Sequence, residues 1–218
     1  MLLLLNFMRI HILISIFALG LSSACKAQSY SINNNPENHT IIISNSTLKL
    51  ELNYDHQCRV STMDVNGQNV IEGNTGIYSE VQTKENTFST LHLDHSPTVK
   101  TSQNLVEVSD IIYGGNNVAI HENWKFIVSD SNIRFFITRT YPKAFDAESV
   151  SFPAMEFNNI NTWEGAFQGF GGIAWFYLFN EKLMTYGVHT NEASFWNSAN
   201  NNGLNILVKA PGNHIAMK

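Results

Sequence analysis

The chain has 218 residues, a formal net charge of −5, and only 14% charged residues beside 44% hydrophobic ones. Its basic residues stand singly among a larger number of acids, which argues against a phosphate-binding surface and hence against nucleic acid as a partner. So few charges leave the surface to neutral amides and hydroxyls, and the length is enough for one domain with a core of its own.

In chain order the first element is an export signal. Arg9 precedes an apolar run over residues 10–21, and Ser22, Ser23 and Ala24 then lead to Cys25. A positive flank, a short apolar stretch and small residues make a removable leader, whereas a membrane-spanning helix needs about 20 apolar residues. Cleavage before Cys25 resembles the processing of bacterial lipoproteins, with the Cys25 thiol acylated, although Ser22 stands where that motif usually has Leu. Cleavage after Ala27 is the rival and releases a free chain. Either cut leaves Cys58 without a partner in the mature chain, so an apolar core rather than disulfides must hold the domain together. Residues 1–24 are thus read as signal, 25–39 as linker and 40–218 as the folded domain. The expected location is the periplasm, the outer membrane or the exterior, with a membrane met only through a lipid anchor.

Beyond the leader the hydrophobic period is two. Leu48, Leu50, Leu52 and Tyr54 alternate with Lys49, Glu51 and Asn53, which puts one row on a core face and the other in solvent. Asn66-Gly67, between strand-like residues 60–65 and 69–71, is the dipeptide that most readily takes the positive φ values of a tight hairpin. Further strands are expected over residues 77–83, 87–93, 99–112, 118–129 and 133–141, rich in β-branched and aromatic residues. Turn signals separate them at Gly73-Asn74, at residues 114–117 and at residues 129–132. Residues 145–152 suit a short turn. Residues 158–170, with Gly165, Gly169, Trp163 and Phe167, read as a glycine-rich loop of the kind that carries binding residues on a sheet scaffold. Residues 204–209 read as a strand, and residues 214–218 as the opening of another that stops unfinished, which predicts a domain truncated at its carboxyl end. Short strands with hairpin connections predict an all-β fold, an antiparallel β-sandwich.

The stretch 121–128, turning at 129–132 into 133–141, resembles the paired strands of the large β-sandwich at the amino end of many bacterial glycoside hydrolases. That resemblance implies a galactose-mutarotase-like supersandwich, normally followed by an α/α-toroid that carries the acid and base carboxylates. It carries over no catalytic residue to this chain.

Four constellations carry chemistry of their own. His92, Asp94 and His95 offer metal ligands, with His92 and Asp94 on one face. No second cluster supplies the converging ligands that a site needs; a polar strand end before Pro97 is the expectation, with no metal and no cofactor. His121 and Glu122 have acid and base character, yet neighbours in a strand point to opposite faces. Trp163, Glu164, Trp175, His189 and Trp196 have the apolar-plus-few-polar composition of a sugar site, in which indoles stack on pyranose rings and carboxylate or imidazole fixes hydroxyls. Trp175 lies in the apolar run 173–179 and is assigned to the core, leaving Trp163, Glu164, His189 and Trp196 as the substrate-binding residues. Glycoside hydrolysis itself needs two carboxyls across the scissile bond; Glu156, Glu164, Glu181 and Glu192 are available, but a sequence does not supply their separation.

The resulting expectation is the amino-terminal β-sandwich portion of an exported, carbohydrate-active enzyme, a glycoside hydrolase whose catalytic domain follows. Its partners would be an oligo- or polysaccharide and that following domain. The alternatives are a stand-alone sugar-binding surface lipoprotein and an aldose-epimerase-like enzyme that uses a His and a Glu in one cleft.

Overall fold

The computed structural model describes residues 29–115, 118–158, 164–169, 172–176, 190–197, 202–207 and 209. Their regular structure is entirely β, in antiparallel sheets, as the period-two alternation predicts. The first sheet contains β1 (Ser31–Asn35), β2 (Thr40–Ser44), β3 (Leu48–Asn53), β4 (Arg59–Val65), β5 (Gln68–Asn69), β6 (Ile77–Gln82), β7 (Thr87–Ser89) and β12 (Ser149–Met155), in the order β1-β2-β3-β4-β6-β12, with β5 on β4 and β7 on β6. The second contains β8 (Thr98–Ser102), β9 (Leu105–Gly115), β10 (Val118–Val128) and β11 (Ile133–Thr140), in the order β11-β10-β9-β8. The third orders β14 (Gly172–Phe176), β13 (Glu164–Gly169), β15 (Thr190–Asn197) and β16 (Asn202–Leu207).

The alternating rows become the core. Ile41, Ile43, Leu50, Leu52 and Val60 of the first sheet join Val106, Val108, Ile120, Trp124 and Phe126 of the second in one buried cluster. Burying each such side chain contributes on the order of 1.5–3 kcal/mol, so the pattern drives the two sheets together. Phe126 stacks on Phe135 of β11 with centroids 4.4 Å apart, and Trp124 meets the same ring edge-on at 5.0 Å. Leu204 and Ile206 of β16 pack against this cluster, which sets the inward face of the third sheet.

Several local expectations change. The first strand, Ser31–Asn35, lies within the stretch read as linker and pairs with β2. The run 99–112 is two strands, because Gln103 and Asn104 turn the chain and pair Ser102 with Leu105. Residues 87–93 yield a strand only to Ser89, since the chain turns at Thr90, whose backbone N–H bonds to the Ser79 carbonyl. Gly114 and Gly115 belong to β9 rather than to the turn. Of residues 145–152, read as a short turn, 149–152 belong to β12, which pairs with β6. The hairpin at Asn66-Gly67 forms as expected, with φ of 50° and 82° at the two residues. Residues 1–28, with Cys25 and the stretch read as an export signal, and residues 214–218, read as an unfinished strand, lie outside the described residues.

Cys58 is buried and free. Burial, and then the nearby Glu122 carboxylate, push its thiol well above the ordinary value of 9.0. A thiolate is the reactive form, so Cys58 is expected to resist a thiol reagent at pH 8 in the native protein and to react fully in urea. Because its folded-state pKa is raised, the contribution of the neutral thiol to stability is complete below pH 9.0 and declines as pH rises beyond it. Native-state labelling at the rate of a free thiol would refute the assignment.

Candidate functional site

The third sheet holds Glu164, Trp175 and Trp196 in defined register. Its register aligns cross-strand rows, and residues in one row, or two rows apart, share a face. Glu164 pairs with Trp196, and Trp196 with Gly203. Two residues along, Trp175, Ala166, Ser194 and Asn205 form one row across all four strands. Two further along, Ile173, Gln168, Glu192 and Leu207 form the next. The intervening rows, Phe176-Gly165-Phe195-Leu204 and Ala174-Phe167-Ala193-Ile206, are wholly apolar or glycine and include the two residues packed on the core. By register, the rows alternating with those of Leu204 and Ile206 hold two tryptophans, two glutamates, a glutamine, an asparagine and a serine.

Where side chains are described on this face, they are held by one another. The Asn205 amide donates to Ser194 Oγ at 2.9 Å and to Glu192 Oε1 at 3.3 Å, and Trp196 is half-buried. An amide already oriented by a hydroxyl and a carboxylate presents fixed polar groups to a ligand, a requirement of hydroxyl recognition.

Of the residues expected to bind substrate, the register therefore unites Glu164 and Trp196. Trp163 and His189 lie outside the described residues. The glycine-rich loop reading of residues 158–170 is corrected, since Glu164–Gly169 is strand β13, hydrogen-bonded on both sides. Gly165 stands in register between Phe176 and Phe195, and aromatic cross-strand neighbours compensate a strand glycine. Trp175, assigned to the core from its apolar surroundings, stands by register in the row of Ala166, Ser194 and Asn205. The signal was the alternation of Ile173 and Trp175 with Ala174 and Phe176. Gln168 and Asn205 were missed for a different reason: isolated amides carry no motif until register gives them neighbours.

The other constellations separate. Among the described residues, no group of His, Cys, Asp and Glu converges as a metal site, and His92, Asp94 and His95 stay a polar segment after β7. His121 is exposed and Glu122 buried, on opposite faces of β10 as the strand reading requires. Glu156 accepts hydrogen bonds from Thr75 Oγ1 at 2.7 Å and Tyr78 OH at 2.8 Å.

Glu122 is wholly engaged inside the sandwich. Its Oε1 accepts from Tyr113 OH at 2.7 Å and from Arg139 Nε at 2.5 Å, and its Oε2 accepts from Trp124 Nε1 at 2.7 Å. Arg139, directly across from Glu122 in register, also donates to the Ser151 carbonyl at 3.0 Å and lies 4.5 Å over the Phe152 ring. Through it the second sheet is fastened to β12 of the first. Burial opposes the Arg139 charge, but Glu122 and Tyr113 outweigh it and hold the guanidinium above its usual value. Burial and the Glu122 charge push the Tyr113 phenol far up. With no exposed carboxylate surface, Glu122 is a structural clasp and not a general acid or base.

No protein-family model matches the chain, and no curated protein shows significant similarity to it.

Proposed function

We propose that this chain is the β-sandwich portion of an exported, carbohydrate-active protein, and that the outer face of its third sheet binds a neutral glycan. The observation that carries the reading is the row pattern, in which Trp196 and Trp175 stand two rows apart, in the alternation that also holds Glu164, Glu192, Gln168 and Asn205. Stacking on indoles supplies apolar contact, and oriented amides and carboxylates supply directional bonds to hydroxyls. The leader over residues 1–24 supports an extracytoplasmic setting, where polysaccharides are met. The paired strands β10 and β11 support the likeness to glycoside hydrolase sandwiches of the galactose-mutarotase type. On this reading the domain holds glycan for carboxylates supplied by a following catalytic domain.

The test is calorimetric titration with cellohexaose, xylohexaose and mannohexaose. At least one should bind, and Trp196→Ala and Trp175→Ala should each weaken it about tenfold, near 1.4 kcal/mol of lost contact. Trp124→Phe, within the core, should leave the affinity unchanged. Absence of binding by all three, or affinities indifferent to both tryptophans, would overturn the reading.

A further inference from the structure

The outer face of the second sheet carries a different set of groups, independent of the third-sheet face. Strand pairing places Lys100, Glu107, Lys125 and Phe136 in a single row across β8, β9, β10 and β11. The adjacent row contributes Ser109, Asn123 and Thr138, where β9 bulges at Asp110 with φ of 61° and sets two residues against one of β10. Together these residues line an open cavity of about 600 Å³.

The charge balance on this face runs against that of the chain. Two lysines flank one glutamate in the cavity, and Arg134 stands in the next row opposite Ile127, whereas the whole chain has a formal charge of −5. Lys125 Nζ lies 3.3 Å from Glu107 Oε1, with both side chains nearly half exposed. An exposed pair of that kind contributes little and exchanges readily for another anion. Lys100 forms no ion pair among the described residues. Beside them the Phe136 ring is 46% exposed, an aromatic surface left in solvent at the end of a cationic row.

We infer that this cavity is a second saccharide site and that its ligand is an acidic oligosaccharide, one whose sugars carry carboxylates. A ring resting on Phe136 brings its carboxylate toward Lys125 one strand away, a spacing of about 4.8 Å, and Lys100 two strands further along receives the carboxylate of another unit. Ser109, Asn123 and Thr138 face the hydroxyls along the adjacent row. An inorganic anion has no use for the aromatic surface, and a neutral sugar has none for the lysines; an acidic sugar uses both.

Titration of the purified protein with tetragalacturonate and with cellotetraose, at low salt and at about 0.5 M NaCl, tests this. Tetragalacturonate should bind at low salt, weaken at high salt and exceed cellotetraose at this site. Lys100→Gln and Lys125→Gln should each weaken it about fivefold. Phe136→Ala should weaken it as well, while Phe136→Tyr, which keeps the ring, should retain it. Trp196→Ala should leave tetragalacturonate binding intact, so failure of the third-sheet reading and failure of this one are told apart. All three second-sheet positions are solvent-facing, and matching melting curves confirm that the four variants fold. Binding unaffected by both lysine substitutions, equal affinity for cellotetraose, or no binding of tetragalacturonate would each overturn the inference.

Discussion

Replacing Arg139 with methionine is expected to lower the unfolding free energy by about 3–5 kcal/mol, because it leaves the Glu122 carboxylate buried without its cationic partner. The side chains of Arg139 and Glu122 are 2% and 0% exposed, so solvent screens neither charge. Tyr113 and Trp124 would still donate to the carboxylate, but a neutral donor does not balance a buried charge. The substitution also removes the bond to the Ser151 carbonyl and the contact with Phe152, and so loosens the attachment of β11 to β12. Urea denaturation followed by tryptophan fluorescence gives the loss directly. The double variant Glu122→Leu/Arg139→Met should recover much of it, since removing both members of a buried pair is far milder than removing one. A single variant within about 1 kcal/mol of the parent would show that the pair is hydrated and that burial does not govern it.

Gly76→Ala is expected to cost roughly 2–5 kcal/mol, the sum of a left-handed backbone carrying a Cβ and an overpacked contact. Gly76 has φ of 72°, and a Cβ added there would sit 2.1 Å from the Val60 carbonyl oxygen, inside a pairing of β4 with β6. Gly67 supplies the control. Its φ is 82°, yet a Cβ there meets nothing within 4 Å. Gly67→Ala should therefore cost only about 1–2 kcal/mol, the backbone part alone. The difference between the two melting transitions isolates steric exclusion from conformational strain. Equal losses would mean that the chain near Val60 gives way.

Several features were legible without coordinates because they are local. The alternation of Leu48, Leu50 and Leu52 with Lys49 and Glu51 describes a strand with one buried face wherever that strand ends up, and β3 buries Leu50 and Leu52. Asn66-Gly67 carries its turn geometry in its own φ preferences, and the opposition of His121 to Glu122 follows from strand pleating alone. An all-β, antiparallel class followed from these periods and turns.

What tertiary structure decided depends on which distant strands meet. Gly165 and Gly169 weaken any isolated strand, so residues 164–169 read as a loop until hydrogen bonds to β14 and β15 on both sides made them a central one. An apolar neighbourhood does not state which face is inward; Leu204 and Ile206, packed on the core from β16, set that direction for their strand. The same holds for Glu122, an ordinary acid in the sequence, whose role as a clasp exists only because register brings Arg139 opposite it and folding closes Tyr113 and Trp124 around the carboxylate. Periodicity tells a residue which neighbours share its face, whereas burial is a property of what that face meets, and only the packed sheets supply it.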